Sequence, residues 1–271
     1  MDREFGAVVL AGERPGGSNF SRQLGLPASV LVEVDGKPAL ARVIDALETS
    51  NCVSGGLLCG PDESVVRAAP QVTQILESSS FEWLAPAAGP SASALAALER
   101  LNRFPALLTA GDHALLTPGL VDDFCTRAER LDVDIAFGLV PYPLVRSAFP
   151  GTGRTVLKFR DGAFCGSNLF AILTPRGKAG PAFWGRLEAD RKRPWRMVRH
   201  AGIGMLLRYL FGRLTLEKAL ASLSEAMGCS VGYVLIKDPR AAVDVDSIAD
   251  RDLAESILLA EQGQQRHQNG R

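Results

Sequence analysis

Short apolar runs of β type alternate with segments of helical period along almost the whole chain, and this alternation constrains the fold more than any other feature. Ala7-Val8-Val9-Leu10, Gly56-Leu57-Leu58-Cys59, Ala106-Leu107-Leu108-Thr109 and Ile135-Ala136-Phe137-Gly138 are continuously apolar, the pattern of strands buried on both faces. Between them lie helical patterns: from Gly36-Lys37-Pro38 onward with Leu40, Val43, Ile44 and Leu47 on one face, then 91–103, then 118–131. The predicted class is α/β, a single Rossmann-like domain with a mixed, mostly parallel sheet flanked by helices.

The middle of the chain changes character. Thr155–Phe159 and Ser167–Ile172 flank Asp161-Gly162, a turn signal between strand-like runs, so an antiparallel and helical lobe is expected as an insertion at approximately 142–228. Helical pattern fills 182–227, strand runs are expected at Val231–Ile236 and Ala242–Val245, and a closing helix at 250–261. The domain is expected to cover 1–262, with 263–271 as a flexible tail.

Composition narrows the function classes. Thirty basic residues balance thirty acidic ones, so no global field attracts nucleic acid, and any bound anion must be held by local groups. The five cysteines, Cys52, Cys59, Cys125, Cys165 and Cys229, show no C-x-x-C pair and no zinc spacing, which reads as reduced, buried thiols and a cytoplasmic setting. No signal peptide is expected from the first residues, and no run approaches eighteen apolar residues.

Three segments can carry chemistry. Gly12, Gly16 and Gly17 directly follow the first apolar strand, where backbone N–H groups can turn toward an anion at the strand ends; Arg14 lies inside this loop and Arg22 just beyond it. The spacing matches neither a dinucleotide fingerprint nor a Walker loop, and a plain flexible turn is the competing explanation. Asp112 ends the strand-like run Leu107–Gly111, at the sheet edge where ligands collect; it can hold Mg²⁺ or cap the following helix. His113 beside it is expected to be a structural hydrogen bonder. In Asp244-Val245-Asp246-Ser247, strand alternation puts the two carboxylates on opposite faces, so one of them reaches a site, unless Asp246 or Ser247 simply caps the last helix.

Taken in order, Val9-Leu10-Ala11-Gly12, Gly36-Lys37-Pro38-Ala39-Leu40-Ala41-Arg42-Val43, Gly89-Pro90-Ser91-Ala92-Ser93, Ala110-Gly111-Asp112, Gly166-Ser167-Asn168-Leu169-Phe170 and Asp244-Val245-Asp246-Ser247 resemble the MobA-like nucleotidyltransferases, the superfamily of molybdenum-cofactor guanylyltransferase and related cytidylyltransferases and sugar-phosphate nucleotidyltransferases. The resemblance implies a GT-A-like nucleotidyltransferase domain and Mg²⁺-dependent transfer from an NTP, CTP or GTP foremost, to a small phosphorylated acceptor. It implies a nucleotide site at Leu10, Ala11, Gly12, Glu13, Arg14, Gly16, Gly17, Ser29, Gly89, Ser91, Ser93 and Gly111, and a metal site at Asp112 with Asp244 or Asp246. Asn168 would face the acceptor, and Arg193 and Arg196 are the cations expected to meet its phosphate. The chain departs from the pattern twice. The second glycine usually found after Leu-Ala-Gly is Glu13, and the lysine usually found seven residues before the glycine of Gly-Lys-Pro is Ser29. Arg14 and Arg22 are the candidates to restore that cation in catalysis, with Asp112, although arginine and lysine are not interchangeable.

One stretch lies outside the resemblance. Arg191-Lys192-Arg193-Pro194-Trp195-Arg196 leads into an apolar helical pattern ending at Leu214. Residues 191–214 can rest on a membrane surface, pack into the protein's own core with arginines reaching outward, or form a subunit contact. Two other functions fit the same features: a non-catalytic nucleotide-binding protein, and a GT-A glycosyltransferase using a nucleotide-sugar.

Overall fold

The computed structural model describes residues 4–13, 17–190 and 203–269. In chain order the elements are β1 (Phe5–Leu10), α1 (Asn19–Gln23), β2 (Glu33–Val34), β3 (Lys37–Pro38), α2 (Ala39–Glu48), β4 (Val53–Cys59), α3 (Glu63–Ala68), α4 (Pro70–Glu77), β5 (Phe81–Leu84), α5 (Pro90–Leu101), β6 (Ala106–Ala110) and α6 (Pro118–Glu129). There follow β7 (Ile135–Pro141), α7 (Tyr142–Ala148), β8 (Leu157–Phe159), β9 (Gly162–Ile172), α8 (Ala179–Asp190), α9 (Ile203–Leu210), α10 (Leu216–Met227), β10 (Val231–Leu235) and α11 (Ile248–Asn269).

The continuous apolar runs become the middle of one sheet, in the order β10-β7-β9-β6-β1-β4-β5, with β8 added beside β9. Neighbours run parallel except at β9, which is antiparallel to β6, β7 and β8. This is the mixed, mostly parallel α/β sheet that the alternation predicts. Ala7, Val8 and Val9 of β1 are fully buried because helices cover both faces. On one face Leu40, Val43, Ile44 and Leu47 of α2 meet Val121 and Phe124 of α6 over Val9, Leu58 and Leu107. On the other, Ala94, Ala97 and Leu98 of α5 and Phe183 of α8 cover Val8, Leu57, Leu108 and Ile172.

Several local features differ from the sequence expectation. Asp35 and Gly36 both take positive φ, 51° and 68°, so Val34-Asp35-Gly36-Lys37 forms a tight β2–β3 hairpin, and α2 starts only at Ala39 with Pro38 in its N-cap position. The antiparallel insertion expected within 142–228 is present and joins the main sheet, with β9 running between β7 and β6 and β8 beside it. Ala242–Val245 is not a strand. The Asp238 carboxylate binds both the Arg240 N–H and its guanidinium, shaping a 3₁₀ turn at Pro239–Ala242. The chain after this turn is pinned by a bond from the Val245 N–H to the Asp112 carbonyl (3.1 Å). Helical backbone continues through Asn269, over most of the segment expected as a tail. A third cluster, Phe20, Val32, Val34 and Ala39 with Val243, Val245 and Ala254, clamps the C-terminal segment onto the beginning of the chain. That clamp carries 244–246 to the site.

Candidate active site

The ends of β1 and β6 are in register, Leu10 opposite Ala110. They are tied together beyond the ladder by the Gly111 N–H, which donates to the Leu10 carbonyl (2.9 Å), while the Ala11 N–H donates to the Cys59 carbonyl at the end of β4 (2.8 Å). Gly12 and Asp112 therefore leave the sheet side by side at its carboxyl edge, where open α/β sheets hold ligands. Ala11 and Gly111 are buried and their amides spent on these bonds, so they shape the turn without offering a donor. The Gly12 N–H finds no acceptor among the described residues. Gly60, which the motifs do not single out, makes this turn possible: at φ +92° its Cα faces the Gly12 backbone so closely that a Cβ would lie 2.5 Å from the Gly12 nitrogen.

Asp112 is not a helix cap; Thr117 caps α6. No donor among the described residues reaches its buried Oδ1. Asp246 approaches it within hydrogen-bonding reach, two carboxyl groups facing each other. Burial first, then the Asp246 and Asp244 charges, push Asp112 up to about 7, and burial with the Asp244 and Asp250 charges raises Asp246. Residues 243–246 form no strand, so period-two alternation does not place Asp244 and Asp246, and both charges act on Asp112. Their contacts nevertheless diverge. Asp244 is bound by Arg154 (2.5 Å), which also holds Asp250 (2.7 Å), whereas Asp246 turns to Asp112. Ser247 accepts from the Asp250 N–H (3.2 Å) in the first turn of α11. No group of three or more His, Cys, Asp or Glu side chains is arranged for a metal among the described residues, but Mg²⁺ takes one or two carboxylates and completes its shell with phosphate and water. His113 is fully buried, and burial outweighs the opposing Asp238 charge to lower it to about 4. Neither ring nitrogen has a partner among the described residues, so the expected structural hydrogen bond is not found there, and the lowered value leaves the ring neutral near pH 7.

The two departures from the family pattern touch one another. The Glu13 carboxylate accepts from the Ser18 N–H (2.9 Å) and the Ser21 hydroxyl (2.8 Å), and also bonds Ser29. Burial alone would raise its pKa, but these bonds prevail and hold it below the usual carboxylate range. A fixed negative charge thus sits in the loop after β1. Gly17 takes φ +79° at the far end of this loop. Arg22 is exposed and bound to Asn19 Oδ1 (2.6 Å) on α1. Arg14 and Gly16 lie outside the described residues.

A cleft of about 370 Å³ opens beside Asp112, with Leu10, Gly12, Ser91, Asn168 and Glu188 in its lining. Ser91 donates to Glu188 of α8 (2.8 Å), a partner that carries no sequence motif and so escaped the sequence analysis. Gly89 precedes α5 and accepts from the Ser93 N–H, while the buried Ser93 hydroxyl accepts from the Ala87 N–H (2.9 Å); both shape the loop and neither lines the cleft. Asn168 enters the lining through a bulge. Phe137 pairs with Phe170 and Leu139 with Gly166, so Ser167, Asn168 and Leu169 lie opposite Gly138 alone. Arg193 and Arg196 lie outside the described residues, as does much of the proposed membrane segment. In its described part Leu210 and Phe211 are 68% and 73% exposed, and no described helix is long and apolar enough to cross a membrane.

Known structures share this fold. A hypothetical transferase from Thermus thermophilus aligns with a TM-score of 0.76 and 26% identity, covering 92% of this chain and 99% of that one. The CMP:2-keto-3-deoxy-manno-octonic acid synthetase complexed with CTP aligns at 0.59 and 13% identity over 94% and 99% of the two chains. The 4-diphosphocytidyl-2C-methyl-D-erythritol synthase of Anaerococcus prevotii aligns at 0.59 and 12% over 96% and 100%. No curated protein matches by sequence. Residues 7–144, just over half of the chain, match the model of the MobA-like NTP transferase domain, and with the Gly12 turn, the Asp112 strand end and the sheet order all in place, this chain belongs to that nucleotidyltransferase family.

Proposed function

We propose that the protein transfers a nucleoside monophosphate from an NTP to a small phosphorylated acceptor, with Mg²⁺ and release of pyrophosphate. One observation carries the reading: two carboxyl groups from distant parts of the chain, Asp112 and Asp246, face each other beside a loop whose Gly12 N–H meets no acceptor among the described residues. Such a pair, with a buried oxygen that no donor among the described residues reaches, is electrostatically incomplete and fits a divalent cation. When bound, Mg²⁺ neutralises the polyphosphate charge that grows as pyrophosphate leaves. The chain's part is positioning. Gly12 offers its N–H to the donor phosphates, Asp112 and Asp246 hold the cation, and Asn168 faces the acceptor. An acceptor phosphate oxygen, already ionised near neutral pH, attacks the α-phosphorus in line; the bond to the β-phosphate oxygen breaks and its electrons leave with pyrophosphate. No base is required, consistent with a neutral His113.

The test is pyrophosphate release from each of the four NTPs with Mg²⁺ and a panel of phosphomonoesters. CTP comes first, because two of the structural relatives are named for cytidylyl chemistry. Release that requires both Mg²⁺ and acceptor is expected; nucleoside diphosphate released from a nucleotide-sugar would point to glycosyl transfer instead.

A second reading, a nucleotide binder without turnover, is favoured by Glu13, whose ionised carboxylate opposes a triphosphate in the same loop. Glu13→Gln is expected to tighten NTP binding several-fold at low salt and by less in 0.5 M salt, since the repulsion is partly screened. Titrating wild type and variant at both salt concentrations decides it: unchanged or weaker NTP binding by the variant would mean that Glu13 does not face the triphosphate.

A further inference from the structure

The cleft beside Asp112 is not built like a sugar site. Its deeper lining is Leu108, Ile135, Phe137, Phe170 and Ile172 on the sheet and Trp184 on α8. Strand register gives its direction. Ala110 lies at the carboxyl edge, Leu108 pairs with Phe170, and Ile172 pairs with both Ala106 and Ile135. The cleft therefore runs from the edge down the sheet face for four residues of β6, about 13 Å at the strand rise. Phe137 stands edge-on to both Phe170 and Trp184, each at 5.8 Å between ring centroids, and all three rings keep part of their surface open. Among the described residues the polar side chains of the lining lie toward the edge or off the sheet: Thr109 next to the last residue of β6, Asp112 in the loop after it, Asn168 in the β9 bulge and the Ser91–Glu188 pair on the facing helices.

Resting on the transferase reading above, we propose that the acceptor is a phosphomonoester with an apolar body, an alkyl or aryl phosphate, whose phosphate lies near Asp112 and whose hydrocarbon fills the slot between the sheet and α8. A cavity of this size with apolar walls and a few convergent polar groups is the ordinary form of a small-molecule site. What separates the candidates is the cost of unmet hydrogen bonds. The backbone groups of Leu108, Phe137, Phe170 and Ile172 belong to strand ladders, and their side chains offer no donor or acceptor. A sugar or a nucleobase pushed into that depth would leave hydroxyls or ring nitrogens unpaired, each costing about tenfold in affinity. A hydrocarbon loses nothing of the kind and covers the open rings.

Calorimetry with Mg²⁺ and an NTP analogue that cannot transfer, titrating ethyl, butyl and hexyl phosphate against glucose 1-phosphate, tests this. Affinity is expected to rise about fourfold for each added methylene until the slot is full, with a negative heat-capacity change, and hexyl phosphate should exceed glucose 1-phosphate. Trp184→Gln, at a partly exposed position of α8, should flatten the series if the hydrocarbon lies where stated; a series equally steep in the variant overturns the placement. Affinity independent of chain length, or tighter binding of glucose 1-phosphate, overturns the proposal. The two readings fail separately. Turnover faster with glucose 1-phosphate than with the alkyl phosphates would sink the apolar acceptor and leave nucleotidyl transfer standing. A steep alkyl series with no pyrophosphate from any NTP would support the slot and sink the transfer.

Discussion

Asp112→Asn is expected to stabilise the metal-free protein at pH 8 while removing its activity, two opposite effects of one carboxyl group. The stability effect follows from where the group titrates. Asp112 is shifted from 3.8, the ordinary value, to about 7. Below about pH 4 it is protonated in both the folded and the unfolded chain and costs nothing. Between about 4 and 7 the folded chain keeps the proton that the unfolded chain has released, so stability falls as pH rises through this window; above about 7 the full penalty is present. The size of the shift sets an upper limit of about 4 kcal/mol. Asparagine carries no charge to bury against Asp246, so the variant's melting temperature at pH 8 should exceed that of wild type by several degrees. Its pH slope should also lack this component. Carboxyl groups held below their usual range, such as Asp134 and Asp238, contribute stability that is lost on acidification, so the informative quantity is the difference between variant and wild type.

Mg²⁺ reverses the sign. A cation favours the ionised carboxylate, so Mg²⁺ should protect the wild-type protein more at pH 8 than at pH 5, and the asparagine variant at neither. Pyrophosphate release should drop by about 10²–10³. Thermal melts at the two pH values, with and without Mg²⁺, together with the transfer assay, check all three outcomes. A variant less stable than wild type at pH 8 without metal would show that Asp112 is not penalised there, and the assigned cation site would lose its electrostatic basis.

The second large effect is expected from Gly60→Ala. The left-handed φ of Gly60 is shared with Gly25, at +65°, but the surroundings differ. A Cβ on Gly25 meets nothing within 4 Å; one on Gly60 meets Gly12 N at 2.5 Å and the Ala11 carbonyl carbon at 2.8 Å. These are backbone atoms, and no side-chain rotamer relieves the clash. Gly25→Ala should cost about 1 kcal/mol from backbone conformation alone, whereas Gly60→Ala should cost roughly 2–4 kcal/mol and displace the Gly12 turn. NTP-dependent thermal protection should vanish in Gly60→Ala and persist in Gly25→Ala. Urea unfolding and a nucleotide thermal shift on both variants suffice. Wild-type NTP binding by Gly60→Ala would detach the Gly12 turn from nucleotide recognition.

The sequence reported those features whose physics is local. Continuous apolar runs such as Ala7–Leu10 and Ala106–Ala110 announce buried strands, because residues buried on both faces leave no polar side of a strand to find. The placement of Gly12 and Asp112 at strand ends follows from the same runs, since parallel strands share a carboxyl edge. Site features that depend on distant partners were not legible. Glu188 reaches Ser91 only because α8 packs beside α5, and Gly60 matters only because β4 ends against the Gly12 turn. The two departures, Glu13 and Ser29, were visible as substitutions, but their mutual contact was not.

The C-terminal aspartates mark the boundary most clearly. Their residue types and order identify them as candidates, yet period-two alternation assigned them to opposite faces of a strand that does not form. Packing of Val243 and Val245 against Val32, Val34 and Ala39, and one bond from Val245 to the Asp112 carbonyl, set their place instead. Residue pattern is sufficient wherever a neighbour along the chain supplies the contact. Where the partner is some 130 positions away, as Asp246 is from Asp112, the burial of unrelated side chains fixes the approach, and that information resides in the packed core.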